Sequence, residues 1–280
     1  MIIDLHCHSH YSDGALSPAE LVQQAESRGV NVLALSDHDS VDGIAEAKAA
    51  AQSLKLVPAV ELSCGWQHKE IHVVGLGVDT ASTVLQQGLA TQQQRRWHRA
   101  EAICAKLAKD NISGVLEQLR SRQASAPTRS HVAYELVERG LVKDQERAFK
   151  RYLGRTGSAY VPAEWCSLNE GISWIREAGG IPVLAHPGRY KLSGSGLQKL
   201  TEAFKEAGGQ GFELSYPQLF PKEAQRMAKL VRSLELWASQ GSDFHSEAQR
   251  WTGLGRMPPL PPAVTTVWQA RPELFSYPIH

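Results

Sequence analysis

Two periodicities take turns along this chain. Residues 1–8 alternate on a period of two, the mark of a strand, which places His6 and His8 on one face and Leu5 and Cys7 on the other. Ser17-Pro18 reads as an N-cap with proline at the first helical position, opening a helix that runs to Arg28 and is closed by Gly29. Residues 30–36 are a continuous apolar run of strand length, as expected of a strand buried on both faces. A helix over 41–54 leads to strands at 56–62 and 71–78, and the turn at 65–69 makes a hairpin of them. The pattern then changes. From 82 to 111 Trp97, Ala100, Cys104, Leu107 and Ala108 recur at helical spacing, and helices follow at 114–120, 130–139 and 144–152 with no strand among them. Alternation resumes with a helix at 167–178, a strand at 181–185, a glycine-rich turn at 192–197 and a helix at 198–207. Next come a strand at 211–214, a helix at 221–234 and a strand at 236–239, with closing loops and one edge element beyond.

Strand-helix units interrupted once predict an α/β fold, a parallel barrel in which residues 1–94 and 159–280 form the body and 95–158 an inserted small helical domain. An open doubly wound sheet is the alternative. It lacks support, because no glycine-rich phosphate fingerprint follows the first strand. The charge supports the division. Residues 95–155 carry 14 Lys or Arg against 7 Asp or Glu, while the remainder carries 16 against 22. A basic segment beside an acidic body suits an anionic substrate held by one part and cut by the other. Cys7, Cys64, Cys104 and Cys166 are widely spaced, so free thiols are expected and a zinc knuckle is not. No apolar run is long enough to span a bilayer, and a strand starting at Met1 leaves no room for a signal peptide; a cytoplasmic location with no membrane contact is the expectation.

The chemistry concentrates at strand ends. His6 and His8 close the first strand, and Asp13 follows in a turn-rich loop. His38 ends the second strand, Glu61 and His72 belong to the next two, and His186 lies just past residues 181–185. Asp243 and His245 follow the last strong strand. One histidine at a strand end is an ordinary polar residue, but six of the eleven are gathered there. Nine candidates exceed the four or so ligands of one tetrahedral site, so more than one ion is implied. Imidazoles and carboxylates without thiolate fit Mn, Zn or Fe(II). Asp37 and Asp39 flank His38 and are placed to orient it.

His6-Cys7-His8, Ser36-Asp37-His38-Asp39, Glu61, His72, Ala185-His186-Pro187 and Ser242-Asp243-Phe244-His245, in that order, resemble the PHP (polymerase and histidinol phosphatase) family of metallophosphoesterases. The resemblance implies a distorted seven-stranded (β/α) barrel and three divalent ions, Mn²⁺ first, with Zn²⁺ or Fe²⁺ as alternatives. It puts His6, His8, Glu61 and Asp243 on one ion, Glu61, His72 and His186 on a second, and Asp13, His38 and His245 on a third. Within the family the opening strand, the Glu70-Ile71-His72-Val73-Val74-Gly75-Leu76 strand and the helical insertion are most similar to the bacterial 3′,5′-nucleoside bisphosphate phosphatase and 5′→3′ exoribonuclease branch. That branch implies hydrolysis of a nucleoside bisphosphate's 3′-phosphate, with an AMP-type product, and removal of nucleotides from the 5′-phosphorylated end of RNA. Asp13, Glu61 and His245 are the catalytic residues expected, with a metal-activated water as nucleophile.

Arg95, Arg96, Arg99, Arg129 and His131 match where that branch holds the other phosphate, and Asp13 and His245 border the same substrate. An arginine fork at a fixed distance from the metals acts as a ruler. Trp97 reads as core. Trp66 and Tyr11 are candidate base contacts, and Arg189-Tyr190-Lys191 reads as an exposed loop. Another PHP phosphatase, of the histidinol phosphate type, would share the metals without needing a second phosphate site. A non-catalytic metal-binding module would show gaps in the ligand set, and there are none. No obligate protein partner is evident.

Overall fold

The computed structural model describes residues 1–122, 125 and 127–276. The chain opens with β1 (Ile2–Cys7), α1 (Pro18–Ser27), β2 (Val30–Leu35), α2 (Ile44–Ala50), β3 (Lys55–Trp66) and β4 (Lys69–Leu76). Helices α3 (Thr83–Lys109), α4 (Val115–Ser121), α5 (Arg129–Glu138) and α6 (Gln145–Ala148) follow, then a π-helical turn at Phe149–Leu153. The last part runs β5 (Cys166–Ser167), α7 (Leu168–Glu177), β6 (Ile181–Leu184), α8 (Gly194–Glu206), β7 (Gly211–Ser215), α9 (Pro221–Ser233), β8 (Trp237–Gln240), α10 (Val267–Ala270) and α11 (Pro272–Phe275). Among the described residues no helix is long and apolar enough to cross a membrane.

Seven strands pair in the order β1-β2-β3-β4-β6-β7-β8, and the short β5 pairs with β3. The ring closes where Cys7 bridges Phe244: Asp243 N–H donates to the His6 carbonyl at 2.8 Å and His8 N–H to the Phe244 carbonyl at 2.9 Å. Two features depart from a regular parallel barrel. β4 runs antiparallel to both β3 and β6, so its beginning, not its end, lies at the rim where the other strands finish. β1 carries a bulge: its pairing advances from Asp4 to Cys7 while β2 advances only from Leu33 to Leu35. The extra residue keeps Leu5 in the inner apolar cluster with Val32 and Ala34, yet still turns His6 and His8 inward and Cys7 out to the helix layer. The predicted strict alternation of β1, with Leu5 opposite the histidines, is therefore corrected.

Inside the barrel one end is apolar and the other polar. Ile3, Val32, Val57, Leu76, Ile181 and Val183 fill the lower part, plugged by Val267 and Phe275 of α10 and α11. Along β3 the same face passes from Val57 and Ala59 to Glu61 and Ser63. The helices α1, α7, α8 and α9 cover the outside with Leu21, Ile172, Ile175, Leu200, Phe204 and Val231. A separate apolar cluster, with Ile103, Leu107, Val115, Leu119, Val132, Leu136 and Tyr152, lies among the helices between Ala100 and Ala159.

Sequence and structure differ at several ends. α8 begins at Gly194, inside the predicted turn, because the Ser193 side chain caps the Gly196 N–H at 3.1 Å and outweighs the poor helix propensity of the glycines. The predicted final edge element is a single bridge, Ala238 to Thr266, followed by two short helices.

Barrel closure leaves no room at Gly241, where an added Cβ would lie 2.2 Å from His6 Cβ and 2.8 Å from His6 N. Gly241→Ala should destabilise the fold by about 3 kcal/mol, the upper end of overpacking costs, because backbone must yield. Gly194→Ala, with open space at the added carbon, should be neutral or mildly stabilising. Urea unfolding of the two variants checks the contrast.

Candidate metal centre

Every strand that ends at the polar rim delivers a ligand-type side chain to it. Glu61 is the hub: its carboxylate lies within 3.3 Å of ring nitrogens of His6, His8, His38, His72 and His186, the closest being His38 Nδ1 at 2.9 Å. Asp243 Oδ1 lies 3.1 Å from His8 Nε2 and 3.5 Å from His6 Nε2. Asp13 Oδ1 lies 3.3 Å from His245 Nε2 and 3.7 Å from His38 Nε2. The nine predicted ligands thus form four overlapping groups: His8, Asp13, His38 and His245; His6, Glu61 and His186; His6, His8 and Asp243; and His38, Glu61 and His72.

The donor set fits divalent cations on an observation independent of its composition. Asp13 Oδ1, Glu61 Oε2, His38 Nδ1 and His186 Nδ1 are buried and make no hydrogen bond. Buried polar atoms are normally satisfied, and the unsatisfied Asp13 Oδ1, Glu61 Oε2 and His38 Nδ1 within the cluster call for positive charge between them, whereas His186 Nδ1 lies on the side of its ring away from Glu61. Burial opposes charge on each group; it prevails at His8, pulled down to about 3, and at His186, while mutual attraction prevails at the carboxylates, His72 and His245. Burial pushes the Asp13, Glu61 and Asp243 carboxyls up, but the neighbouring imidazoles, joined at Asp243 by Arg189, hold all three well below the usual carboxylate range. Burial likewise pulls His72 down, and Glu61 and Glu70 reverse it to about 10; Asp13 and Asp243 reverse the burial of His245 to about 9.

The supporting residues are only partly those expected. Asp37 accepts from Ser9 N, Ser9 Oγ and Ser12 Oγ at 2.6–2.7 Å, and Asp39 takes Arg96 Nε at 2.7 Å and Ser63 N at 3.0 Å. Neither bonds to His38, contrary to the expectation from the sequence: Asp37 holds the loop after β1, and Asp39 joins α3 to β3. The orienting acid is Glu213. Its Oε1 accepts from His6 Nδ1 at 2.7 Å and its Oε2 from the His186 N–H at 2.6 Å, so the His6 proton sits on Nδ1 and Nε2 faces the centre. The signal was available: Glu213 is a lone acid within the apolar strand 211–215, inside β7. His245 is held the same way, its Nδ1 donating to the Asp243 carbonyl at 3.0 Å. Asp39, His186 and Asp243 have φ of 48°, 29° and 49°, left-handed values costly for residues other than glycine. Such strain gathers where a side chain must be aimed.

A cavity of about 240 Å³ opens over the cluster, and its far wall comes from the helical segment. Arg99 and Arg129 stand there about one carboxylate, Glu70, whose Oε2 is 3.7 Å from Arg99 Nη1 and 3.6 Å from Arg129 Nη2. Burial and the charge of Arg129 pull Arg99 down to about 10, so an anion is welcome. Arg129 is the first residue of α5, capped by Thr128, whose hydroxyl also donates to Asp13 Oδ2 at 3.1 Å. The other expected contacts are bonded differently. Arg96 borders the cavity but is buried and bonded to Asp39 and, at 2.8 Å, to Ser63 Oγ. Arg95 turns to Gln92 at 3.0 Å, away from the cavity lining, and His131 Nδ1 accepts the Thr128 N–H at 3.0 Å within the helix cap. Arg189, expected in an exposed loop, is paired with Asp243 and lines the cavity, while the Tyr190 hydroxyl donates to the Ala185 carbonyl at 2.7 Å.

An α/β barrel with a nitrogen- and oxygen-donor metal cluster at its polar rim and guanidinium groups opposite defines a metal-dependent hydrolase of phosphate esters. The chain belongs to the PHP domain family, whose model matches residues 4–161. It is 43% identical over 274 residues to the 5′-3′ exoribonuclease Rnm of Escherichia coli K12, covering 96% of this chain and 93% of that one. To the 3′,5′-nucleoside bisphosphate phosphatase of Chromobacterium violaceum it is 38% identical over 272 residues, covering 95% of each. A solved structure described as an amidohydrolase from C. violaceum, with bound sulfate and no metal, superposes with a TM-score of 0.91 at 36% identity, over 98% of this chain and 97% of that one.

Glu213→Gln should weaken metal binding about 10- to 100-fold, the usual cost of losing an outer partner of a ligating histidine. The amide would also set an NH₂ against the His186 N–H or the His6 Nδ1–H. Calorimetric titration of Mn²⁺ or Zn²⁺ into chelator-treated protein checks this, with an unchanged far-ultraviolet spectrum showing that the fold is intact.

Proposed function

We propose that the chain removes the 3′-phosphate of nucleoside 3′,5′-bisphosphates and, by the same chemistry, takes nucleotides one at a time from the 5′-phosphorylated end of RNA. The observation that carries this is the pairing of two anion sites in one cavity, the nine-ligand cluster on one wall and Arg99 with Arg129 on the other. The names of the E. coli and C. violaceum relatives agree with it.

Three divalent ions would be held by His6, His8, Glu61 and Asp243, by Glu61, His72 and His186, and by Asp13, His38 and His245. When bound they supply positive charge at the phosphoryl oxygens and lower the pKa of a water. The residues 95–158 form the substrate unit. Arg99 and Arg129 grip the 5′-phosphate through charge-assisted hydrogen bonds, displacing the attraction of Glu70. That grip fixes which ester lies over the ligand cluster. Water attacks the 3′-phosphorus, the P–O3′ bond breaks, and O3′ leaves with a proton. Asp13, Glu61 and His245 are the catalytic residues. Asp13 and His245, at the cavity edge, would act through the ion they hold, with the Thr128 hydroxyl fixing the Asp13 carboxylate, and O3′ takes its proton from solvent water. The products are a nucleoside 5′-monophosphate and either phosphate or an RNA one nucleotide shorter that again carries a 5′-phosphate.

The test measures turnover with Mn²⁺ on adenosine 3′,5′-bisphosphate, 3′-AMP, histidinol phosphate, and RNA with and without a 5′-phosphate. Wild type should prefer the bisphosphate and the 5′-phosphorylated RNA. Losing one charge-assisted contact costs about 1.5–3 kcal/mol, so Arg129→Ala should lower kcat/KM for these two about 10- to 100-fold. Hydrolysis of 3′-AMP should change less than threefold. Equal losses on every substrate, or a wild-type preference for simple monoesters, would reduce the function to a general phosphatase. Arg96→Ala is the wrong probe: it strands Asp39 in a buried site and should cost about 3–5 kcal/mol of stability.

A further inference from the structure

Beside the metal cavity lies a larger one, about 620 Å³, that no step above uses. It runs over the tip of the β3–β4 hairpin, where Trp66 and Lys69 are paired in register, to the segment that carries Arg155, Tyr160 and Trp165. The two cavities share a wall at Arg189, which reaches back to Asp243, and at Glu70 between Arg99 and Arg129. Among the described residues Lys69, Arg155 and Arg189 border it together with Arg99 and Arg129 of the 5′-phosphate grip, against a single carboxylate, Glu70. Arg155 is tied to the hairpin tip, its Nη2 donating to the His68 carbonyl at 3.2 Å. Cations interleaved with aromatic faces are what a single-stranded nucleic acid asks of a surface: phosphates pair with the charge, and any base can stack on the rings.

Position decides which part of the RNA this groove meets. In the reaction proposed above, the shortened RNA hangs on the attacked phosphorus through the O5′ of the second nucleotide. The chain beyond the cut must therefore leave the cavity from the ligand cluster, next to Asp243, and Arg189 stands at that exit. The other opening, past Asp13 toward His10 and Tyr134, offers Arg122 as its cation, and Arg122 is already paired with Glu135. We propose that the groove formed by Trp66, Lys69, Arg155, Tyr160 and Trp165 is the track for the RNA nucleotides downstream of the scissile phosphate. It gives the enzyme a reason to prefer an oligomer to a mononucleotide, and this assignment rests on the RNA-end activity proposed above.

The test is a length series: adenosine 3′,5′-bisphosphate, then 5′-phosphorylated RNA of two, five and ten nucleotides, with wild type, Lys69→Glu/Arg155→Glu and Trp66→Leu. Wild-type kcat/KM should rise from the dinucleotide to the longer oligomers. The charge-reversed pair should lose at least tenfold on the ten-mer and less than twofold on the bisphosphate, which reports that fold and metal site are intact. Its salt dependence on the ten-mer should flatten by about 0.7 in log-log slope for each phosphate contact removed. Trp66→Leu should lose about tenfold on the longer RNAs at unchanged salt slope. An undiminished ten-mer rate in both variants overturns the track. So does a parallel loss on the bisphosphate, which would give the groove to the first nucleotide. Inactivity of the wild type on RNA, with the bisphosphate still cleaved, removes the RNA-end activity itself; inactivity on both removes the function proposed for the site.

Discussion

A single buried carboxylate, Glu61, sets the terms for the rest of the molecule. Placed inside a barrel among five imidazoles, it is a charge that the interior could not hold without compensation, since an unpaired buried ion costs several kcal/mol. Compensation requires nitrogens from β1, the loop after β2, β4 and the loop after β6 to arrive at one point. The irregularities of the barrel serve that convergence. The bulge in β1 turns His6 and His8 inward without exposing Leu5, and the reversed direction of β4 brings His72 to the rim from its first residues rather than its last. A regular parallel strand at the position of β4 would present Leu76 there instead.

The helical segment is tied to the same point by buried polar contacts. α3 crosses from one apolar cluster to the other, and at the crossing Gln92 donates to the Ser63 carbonyl at 2.6 Å and accepts the Cys166 N–H at 3.0 Å. One turn later Arg96 bonds Asp39 and Ser63 beneath the Trp165 ring, 4.8 Å from its centroid. Buried ion pairs add little net stability against an apolar alternative, but they tolerate few arrangements. Here the restriction has a use. Arg99 lies three residues further along the same rigid helix, so the bonds of Arg96 to the loop after β2 and to β3 fix where the guanidinium of Arg99 stands relative to Glu61. Arg96, read from the sequence as a phosphate contact, thus positions the helix that carries Arg99, the contact proposed above.

What the sequence disclosed follows from what a strand does to a polar residue. His6, His8, His38, Glu61, His72, His186, Asp243 and His245 each interrupt or end an apolar run, and such interruptions are legible because burial makes them costly. Glu213 obeys the same rule and escaped notice, since it stands in the middle of its strand and not at the end. Strand direction was less legible: alternation and length are the same for a parallel and an antiparallel β4, and only pairing distinguishes them. The bulge in β1 is equally silent, being a property of register against β2. The arginines show the limit most sharply. Arg95, Arg96 and Arg99 look alike on a helix wheel, yet one faces Gln92 on its own helix, one is locked to Asp39 and one reaches Glu70, and the last two partners come from elements distant in sequence.

In the function proposed above, the electrostatic layout of the cavity gives each of two phosphates its own wall. The inner wall is rich in carboxylates whose charge the imidazoles and bound cations must balance, and the outer wall holds two guanidinium groups about one carboxylate. A monoester can neutralise one wall only. It would leave Arg99 and Arg129 as a partly desolvated like-charged pair beside Glu70; burial first and then the charge of Arg129 pull Arg99 down to about 10. A ligand with phosphates at both ends of a ribose satisfies the two walls together, and the rigid sugar between them loses little freedom on binding. In the proposed function, selectivity would come from the distance between two charged surfaces, a distance set by the buried contacts of α3 with the barrel.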